Sequence, residues 1–301
     1  MSHGFSSGAA GYRGRLAPSP TGYLHIGHAR TFWTAFERAR DAGGVLAMRM
    51  EDLDPQRSRS IFATAAYEDL RWLGMDWQEG PDAGGPLGPY EQSRRGEFYR
   101  AAWKRLYASG CIYPCRCSRK DLEAALAAPH EGATVLQPED DEPIYPGTCR
   151  KYLDPEARAS DFTARAFESP EGLNWRFAVP DGEAVEFFDE NLGPQRYAAG
   201  RDFGDFLVWR RDGMPSYQLA CVADDAAMQI SEVVRGADLL KSTARQILLN
   251  RALGYENPKW FHCRLVLDEN GQRLAKRNDA LSLRELRRRG LSPEQVRSGR
   301  I

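Results

Sequence analysis

Two histidines three residues apart, His25 and His28, follow the loop Pro18-Ser19-Pro20-Thr21-Gly22. At that spacing they share one face of a first helical turn. A helix start offers unpaired amide donors and the positive end of the helix dipole, and both attract phosphate. Gly27 lets a nucleotide come close to the backbone. Imidazoles placed there donate to phosphate oxygens as charge builds at an α-phosphorus. A His-x-x-His pair alone is more often two satisfied side chains; the loop before it turns the reading toward nucleotide chemistry.

Two further groups carry chemistry. Cys115-x-Cys117 and Tyr145-x-x-x-Cys149 gather three thiols and a phenol. Three thiolates and a phenolate suit a closed tetrahedral zinc site, and buried reduced thiols are an equal alternative from spacing alone. Cys111, Cys221 and Cys263 have no partners at ligand spacing and read as core or neutral. Near the C-terminus, Asn270-Gly271 leads into Arg273, Lys276 and Arg277. A compact ammonium there suits a leaving pyrophosphate, although an isolated block of this kind is usually a charged surface loop.

The elements that must position these residues follow from apolar runs and punctuation. Tyr12 to Ala17 reads as a strand, His25 to Arg40 as a helix stopped by Gly43-Gly44, and Val45 to Met50 as a second strand. A strand–loop–helix–strand unit begins a parallel α/β sheet. Ile61 to Leu73 and Arg94 to Ser109 read as helices. Leu173–Val179 and Val185–Asp189 read as a strand pair around Pro180-Asp181-Gly182. The strand Phe206 to Trp209, a helix from near Tyr217, the strand Ile230 to Arg235 and the helix Thr243 to Leu253 resume the α/β pattern. The acidic run Glu139 to Glu142 reads as a solvated loop.

Composition sets the outer limits. With 301 residues, 42% of them apolar and 11% aromatic, the chain can bury a sizeable core and is not globally disordered. A formal net charge of -1 argues against non-specific coating of nucleic acid. No stretch is long and apolar enough to span a bilayer. A cytoplasmic protein with reduced cysteines is the expectation, and a monomer.

The run from Arg15 through His28 resembles the first signature of the class I glutamyl- and glutaminyl-tRNA synthetases. Arg49-Met50-Glu51-Asp52-Leu53-Asp54, Gly88-Pro89-Tyr90-x-Gln92-Ser93, Val233 through Leu239 and Leu274-Ala275-Lys276-Arg277 resemble further blocks of that family, in family order. Any one block is weak; together they cover Arg15 to Arg277. The lysine block departs from the frequent Lys-Met-Ser-Lys-Ser. Arg273, Ala275 and Arg277 replace its first lysine and both serines, and Lys276 is retained.

The resemblance implies a Rossmann-like parallel sheet with an inserted zinc-containing subdomain and no anticodon-binding domain. The corresponding divisions are a flexible segment 1–11, catalytic halves 12–110 and 201–255, an insertion 111–200, and a lysine-loop region with a short tail 256–301. It implies that ATP, with Mg²⁺, is bound by His25, Gly27, His28 and Lys276. It implies a glutamate pocket formed by Arg15, Leu16, Ala17, Pro18, Ser19, Glu51, Tyr217 and Arg235. Arg15 and Arg235 would take the two carboxylates, bidentate partners by geometry, with the side-chain carboxylate assigned to Arg15. Glu51 would accept from the α-ammonium. Asp224-Asp225 reads as support for the fold. Zinc at Cys115, Cys117, Tyr145 and Cys149 matches one short branch of the family. In that branch tRNA-independent glutamyl-adenylate is esterified to the queuosine cyclopentenediol in the anticodon stem-loop of tRNA(Asp). The chain ends 25 residues after Lys276, too few for another domain, which points the same way. A short glutamyl-tRNA synthetase charging a 3′ end, or a non-catalytic glutamate- or nucleotide-binding regulator, are the alternatives. Arg284, Arg287, Arg288, Arg289, Arg297 and Arg300 in the tail suit either an RNA backbone or a solvated helix face.

Overall fold

The computed structural model describes residues 11–118, 120–121, 144–163, 167–265 and 282–298. Its strands are β1 (Arg13–Leu16), β2 (Val45–Met48), β3 (Ile112–Cys115), β4 (Asn174–Phe177), β5 (Ala184–Asp189), β6 (Gly193–Ala198), β7 (Phe206–Trp209), β8 (Glu232–Gly236) and β9 (Lys259–Cys263). The helices are α1 (Ile26–Asp41), α2 (Ser60–Trp72), α3 (Gly96–Ala108), α4 (Pro155–Asp161), α5 (Tyr217–Ala227), α6 (Leu240–Leu253), α7 (Leu283–Arg288) and α8 (Pro293–Ser298). They form two units, Met1–Arg94 with Met228–Ala237 and Pro258–Ile301, and Arg95–Ala227 with Asp238–Asn257.

The first unit is a parallel α/β arrangement, as expected from its apolar runs. β1 and β2 pair in parallel from Arg13↔Val45 to Leu16↔Met48, with α1 as the crossover. Ile26, Ala29, Phe32, Ala35 and Ala39 form the buried stripe of α1, at the three- and four-residue spacing of one helix face. Gly44 returns the chain to the sheet so tightly that a Cβ there would lie 2.3 Å from the carbonyl oxygen of Tyr12. The amide of Ser231 bonds to the carbonyl of Arg13 at 2.9 Å, and β8 pairs in parallel with β9 from Glu232↔Lys259 to Gly236↔Cys263. Leu16, Leu46, Met48, Leu70 and Val234 share the core with Leu283, Leu286 and Val296 of the tail. The tail arginines have intramolecular partners. Arg297 donates to the carbonyl of Leu73 at 2.6 Å and lies over Trp33, Arg284 lies over Tyr23, and Arg288 and Arg289 both pair with Glu285. Arg300 lies outside the described residues.

The second unit has the antiparallel order β3-β4-β7 and, outside that sheet, the hairpin-paired strands β5 and β6. This corrects the expected pairing across Pro180-Asp181-Gly182. β4 is hydrogen-bonded on both sides by β3 and β7, and the amide of Val179 just beyond it goes to Asp205 at 2.8 Å. β5 turns instead onto β6, whose Gly193-Pro194 start hides a strand in the sequence. Asp224 is fully buried against Arg95 and Tyr99, at 2.5 and 3.0 Å, the supporting role expected of it. Removing one partner of such a pair costs more than the pair itself contributes. Among the described residues no helix is long and apolar enough to cross a membrane.

One carboxyl in the first unit works against stability. Asp69 on α2 is almost fully buried, and burial raises its pKa to about 6 against the opposing pull of Arg284 and Arg287. A folded-state value above the unfolded ~3.9 makes the penalty absent at low pH, where both states are protonated, and complete above about pH 6. Asp69→Asn is expected to raise the melting temperature at neutral pH, with the gain fading between pH 6 and 4. Thermal melts across that range check it, and an equal gain at pH 4 would contradict it.

Candidate active site

At its C-terminal end β1 delivers Arg15, buried, whose Nη1 donates to the carbonyl of Val234 at 2.8 Å. Arg15 thus reaches the backbone beside Arg235, 219 residues on from its own position at Val234. Leu16 is fully buried. The carbonyl of Leu16 accepts from the amide of Arg49, and that of Pro18 from the amide of Glu51, at 2.8 and 2.9 Å. These bonds bring Ala17, Pro18 and Ser19 alongside Glu51. Glu51 in turn accepts from Arg49 at 3.0 Å. The third sequence block is fastened to the second: Met50 exchanges backbone bonds with Tyr90 and Gln92, and Ser93 donates through both amide and hydroxyl to Asp52.

His25 is the N-cap of α1. Its Nδ1 accepts from the amide of Gly27 at 3.1 Å, and Nδ1 of His28 accepts from the amide of His25 at 3.3 Å. The ring centroids lie 3.8 Å apart. A neutral imidazole that accepts at Nδ1 carries its proton on Nε2. Each ring therefore presents an Nε2–H donor, assigned here from the hydrogen-bond network. No acidic side chain occupies the first turn. An open cleft of about 420 Å³ starts at this turn, walled by Ala17, Pro18, Ser19, Thr21, Tyr23 and His28, with Phe32 and Phe62 on its apolar side.

Lys276, with Arg273, Ala275 and Arg277, lies outside the described residues. The described flank that follows is tied to the same turn: Ser282 forms an antiparallel bridge with His25, and the amide of Leu283 bonds to the carbonyl of Leu24 at 2.8 Å. Tyr217 belongs to the second unit, where it opens α5 with its side chain exposed.

Two residues of this site were not singled out from the sequence. Arg49 is fully buried beside Glu51. His262, also fully buried, accepts at Nε2 from Nε of Arg235 at 3.2 Å. Alternation along Trp260-Phe261-His262 is the sequence signal for one shared inward face, and it is too short to stand out.

In the second unit, the sulfurs of Cys115, Cys117 and Cys149 lie within 4.8 Å of one another. Cys117 and Cys149 are 3.6 Å apart, and the Tyr145 oxygen lies 3.5 Å from Cys115 and 3.4 Å from Cys117. A tetrahedral zinc with bonds of about 2.3 Å to sulfur and about 2.1 Å to oxygen sets S···S at about 3.8 Å and S···O at about 3.6 Å. The donor set fits that geometry. The hydrogen bond between Cys115 and Cys149 lowers Cys149 to about 4 and pushes Cys115 up, and burial pushes Tyr145 up. Cys111 and Cys263 are partly buried and Cys221 is buried.

The pattern of the tRNA synthetases class I (E and Q), catalytic domain, matches residues 12–299. The chain belongs to this family. It is similar to the glutamyl-Q tRNA(Asp) synthetase of Symbiobacterium thermophilum, 51% identical over 94% of this chain and 83% of that protein. It is 47% identical to the glutamyl-Q tRNA(Asp) synthetase of Nitratidesulfovibrio vulgaris, with the same two coverages. The glutamate-tRNA synthetase structure from Elizabethkingia anophelis is alike with a TM-score of 0.76 at 28% identity, over 93% of this chain and 54% of that one.

For a class I synthetase catalytic domain, amino-acid-dependent ATP–pyrophosphate exchange reads out the His25–His28 turn. A Cβ at Gly27 would sit 3.0 Å from Cε1 and 3.1 Å from Nδ1 of the His25 ring, so the ring must shift. Gly27→Ala is expected to slow exchange by about tenfold, a barrier change near 1.4 kcal/mol, with little change in melting temperature. An unaltered exchange rate would show that the ring position is not used.

Proposed function

We propose that this chain is an ATP-dependent ligase that activates L-glutamate as glutamyl-adenylate without tRNA. It then transfers the glutamyl group to queuosine at the wobble position of tRNA(Asp). What carries the reading is the near-full-length similarity to two proteins named glutamyl-Q tRNA(Asp) synthetase. The longer glutamate-tRNA synthetase is covered over only 54% of its length.

A carboxylate oxygen of glutamate attacks the α-phosphorus of ATP, and the bond from that phosphorus to the oxygen bridging the α and β phosphates breaks, releasing pyrophosphate. Arg15, Ser19, Glu51 and Arg235 hold the amino acid, with Leu16, Ala17 and Pro18 forming its backbone wall. The Nε2–H groups of His25 and His28 donate to the oxygens that gain charge, and Lys276 receives the pyrophosphate. Mg²⁺ arrives with ATP as part of the substrate. Positioning and preorganised charge supply most of the rate. A hydroxyl of the cyclopentenediol then attacks the mixed anhydride, forming the ester and releasing AMP. Cys115, Cys117, Tyr145 and Cys149 would hold one structural zinc, which cross-links the segments on either side of residues 122–143.

Exchange and transfer test the reading together. Glutamate-dependent ATP–pyrophosphate exchange is expected without tRNA, and radiolabelled glutamate should pass to queuosine-containing tRNA(Asp) but not to the same tRNA with guanine at that position. A strict tRNA requirement overturns the first half. Efficient charging of unmodified tRNA at its 3′ end overturns the second.

Two residue-level outcomes follow. Lys276→Ala is expected to slow single-turnover adenylation about a hundredfold, on the order of 3 kcal/mol, with smaller effects on glutamate binding. Protein purified without added metal should contain about one zinc per chain, and Cys117→Ser should lower that content. Metal analysis alongside thermal melts decides it; a zinc-free chain of equal stability reduces the cluster to buried thiols.

A further inference from the structure

We propose that His262 is a positioning residue that sets the plane of the Arg235 guanidinium for the glutamate carboxylate. This rests on the reading of Arg235 as a glutamate contact.

Parallel pairing of β8 with β9 makes Arg235 and His262 direct neighbours, so their side chains leave the same sheet face. Trp260, two residues earlier on β9, shares that face, and the Arg235 guanidinium carbon lies 5.1 Å from its ring centroid. Nε of Arg235 donates to Nε2 of His262 at 3.2 Å. The imidazole must therefore be the neutral tautomer with its proton on Nδ1. Both side chains are buried, His262 fully.

A guanidinium can meet a carboxylate side-on, through Nε and one Nη, or end-on through both Nη atoms. Occupying Nε with an imidazole removes the side-on mode and fixes the end-on one. The indole face adds a second restraint. A carboxylate in place of His262 would fix the same plane but neutralise the charge that the substrate needs. A neutral acceptor fixes the plane without adding an opposite charge.

Three variants and one spectrum test the role. In His262→Gln the amide oxygen occupies the position of Nε2, in His262→Asn it stops short of it, and in His262→Leu the acceptor is lost. The KM for glutamate in ATP–pyrophosphate exchange is expected to rise about tenfold in the Leu and Asn variants, the scale of one hydrogen bond to a charged group. The KM for ATP should stay within about twofold, and Gln should recover most of the loss. Arg235→Lys provides the control. If it raises the glutamate KM while Asn and Leu leave it unchanged, the positioning role is wrong. If it too leaves the KM unchanged, the glutamate assignment of Arg235 is what fails. The wild-type chain with ¹⁵N-labelled histidine gives a variant-free reading: Nε2 of His262 should be the unprotonated nitrogen, and a protonated Nε2 overturns the proposal.

Discussion

An α-helix begins with amide donors that nothing inside the helix can satisfy, and how α1 meets that need shapes the site. The usual caps are hydroxyls or carboxylates. Here the cap and its reciprocal partner are both imidazoles, His25 and His28. A carboxylate cap would put a negative charge where the proposed function needs phosphate to approach. Imidazole accepts the amide bond through Nδ1 without bringing a negative charge, and the same ring carries an N–H at Nε2. Under the proposed function, capping and catalysis would use opposite edges of the same two side chains. The constraint spreads from there. A side chain at Gly27 would press on the His25 ring, and the chain at Ser282 and Leu283 is fastened to His25 and Leu24.

Much of the first unit was legible because its signals are local. Val45–Met48 is an apolar run of strand length, and α1 has its stripe, its loop before and its glycines after. Elements whose partners are distant were harder. β9, Lys259–Cys263, mixes a lysine, two aromatics, a histidine and a cysteine, and looks like a strand only once β8 lies beside it. β6 was hidden by Gly193-Pro194. The assumed hairpin between β4 and β5 failed because chain adjacency is only a tendency, and β4 had stronger partners on both edges.

The site divides along the same line. The His25–His28 turn could be read from eleven consecutive letters, Pro18 to His28. Placing Arg15 and Arg235 together needed a family resemblance, since nothing local links residues so far apart. The histidine tautomers, and His262 behind Arg235, needed geometry. The cysteine spacing was plain in the sequence, but spacing could not choose between thiols packed in a core and ligands around a point. The separations of 3.4 to 3.6 Å are compatible with ligands around a point.

The bond from Arg15 to the carbonyl of Val234 closes a loop of 219 residues, and on a ribosome this becomes a matter of timing. At about 5–20 residues per second, roughly 10 to 40 s separate synthesis of the two ends. During that interval β1 and β2 exist without β8, and the arginine made to meet a buried carbonyl has none to meet. The nascent amino-terminal segment therefore spends most of the chain's synthesis with the β1 edge of its sheet unpaired. A chaperone that shields apolar surface on emerging chains would have its longest opportunity here, and translation slowed within residues 95–227 would lengthen that exposure most directly.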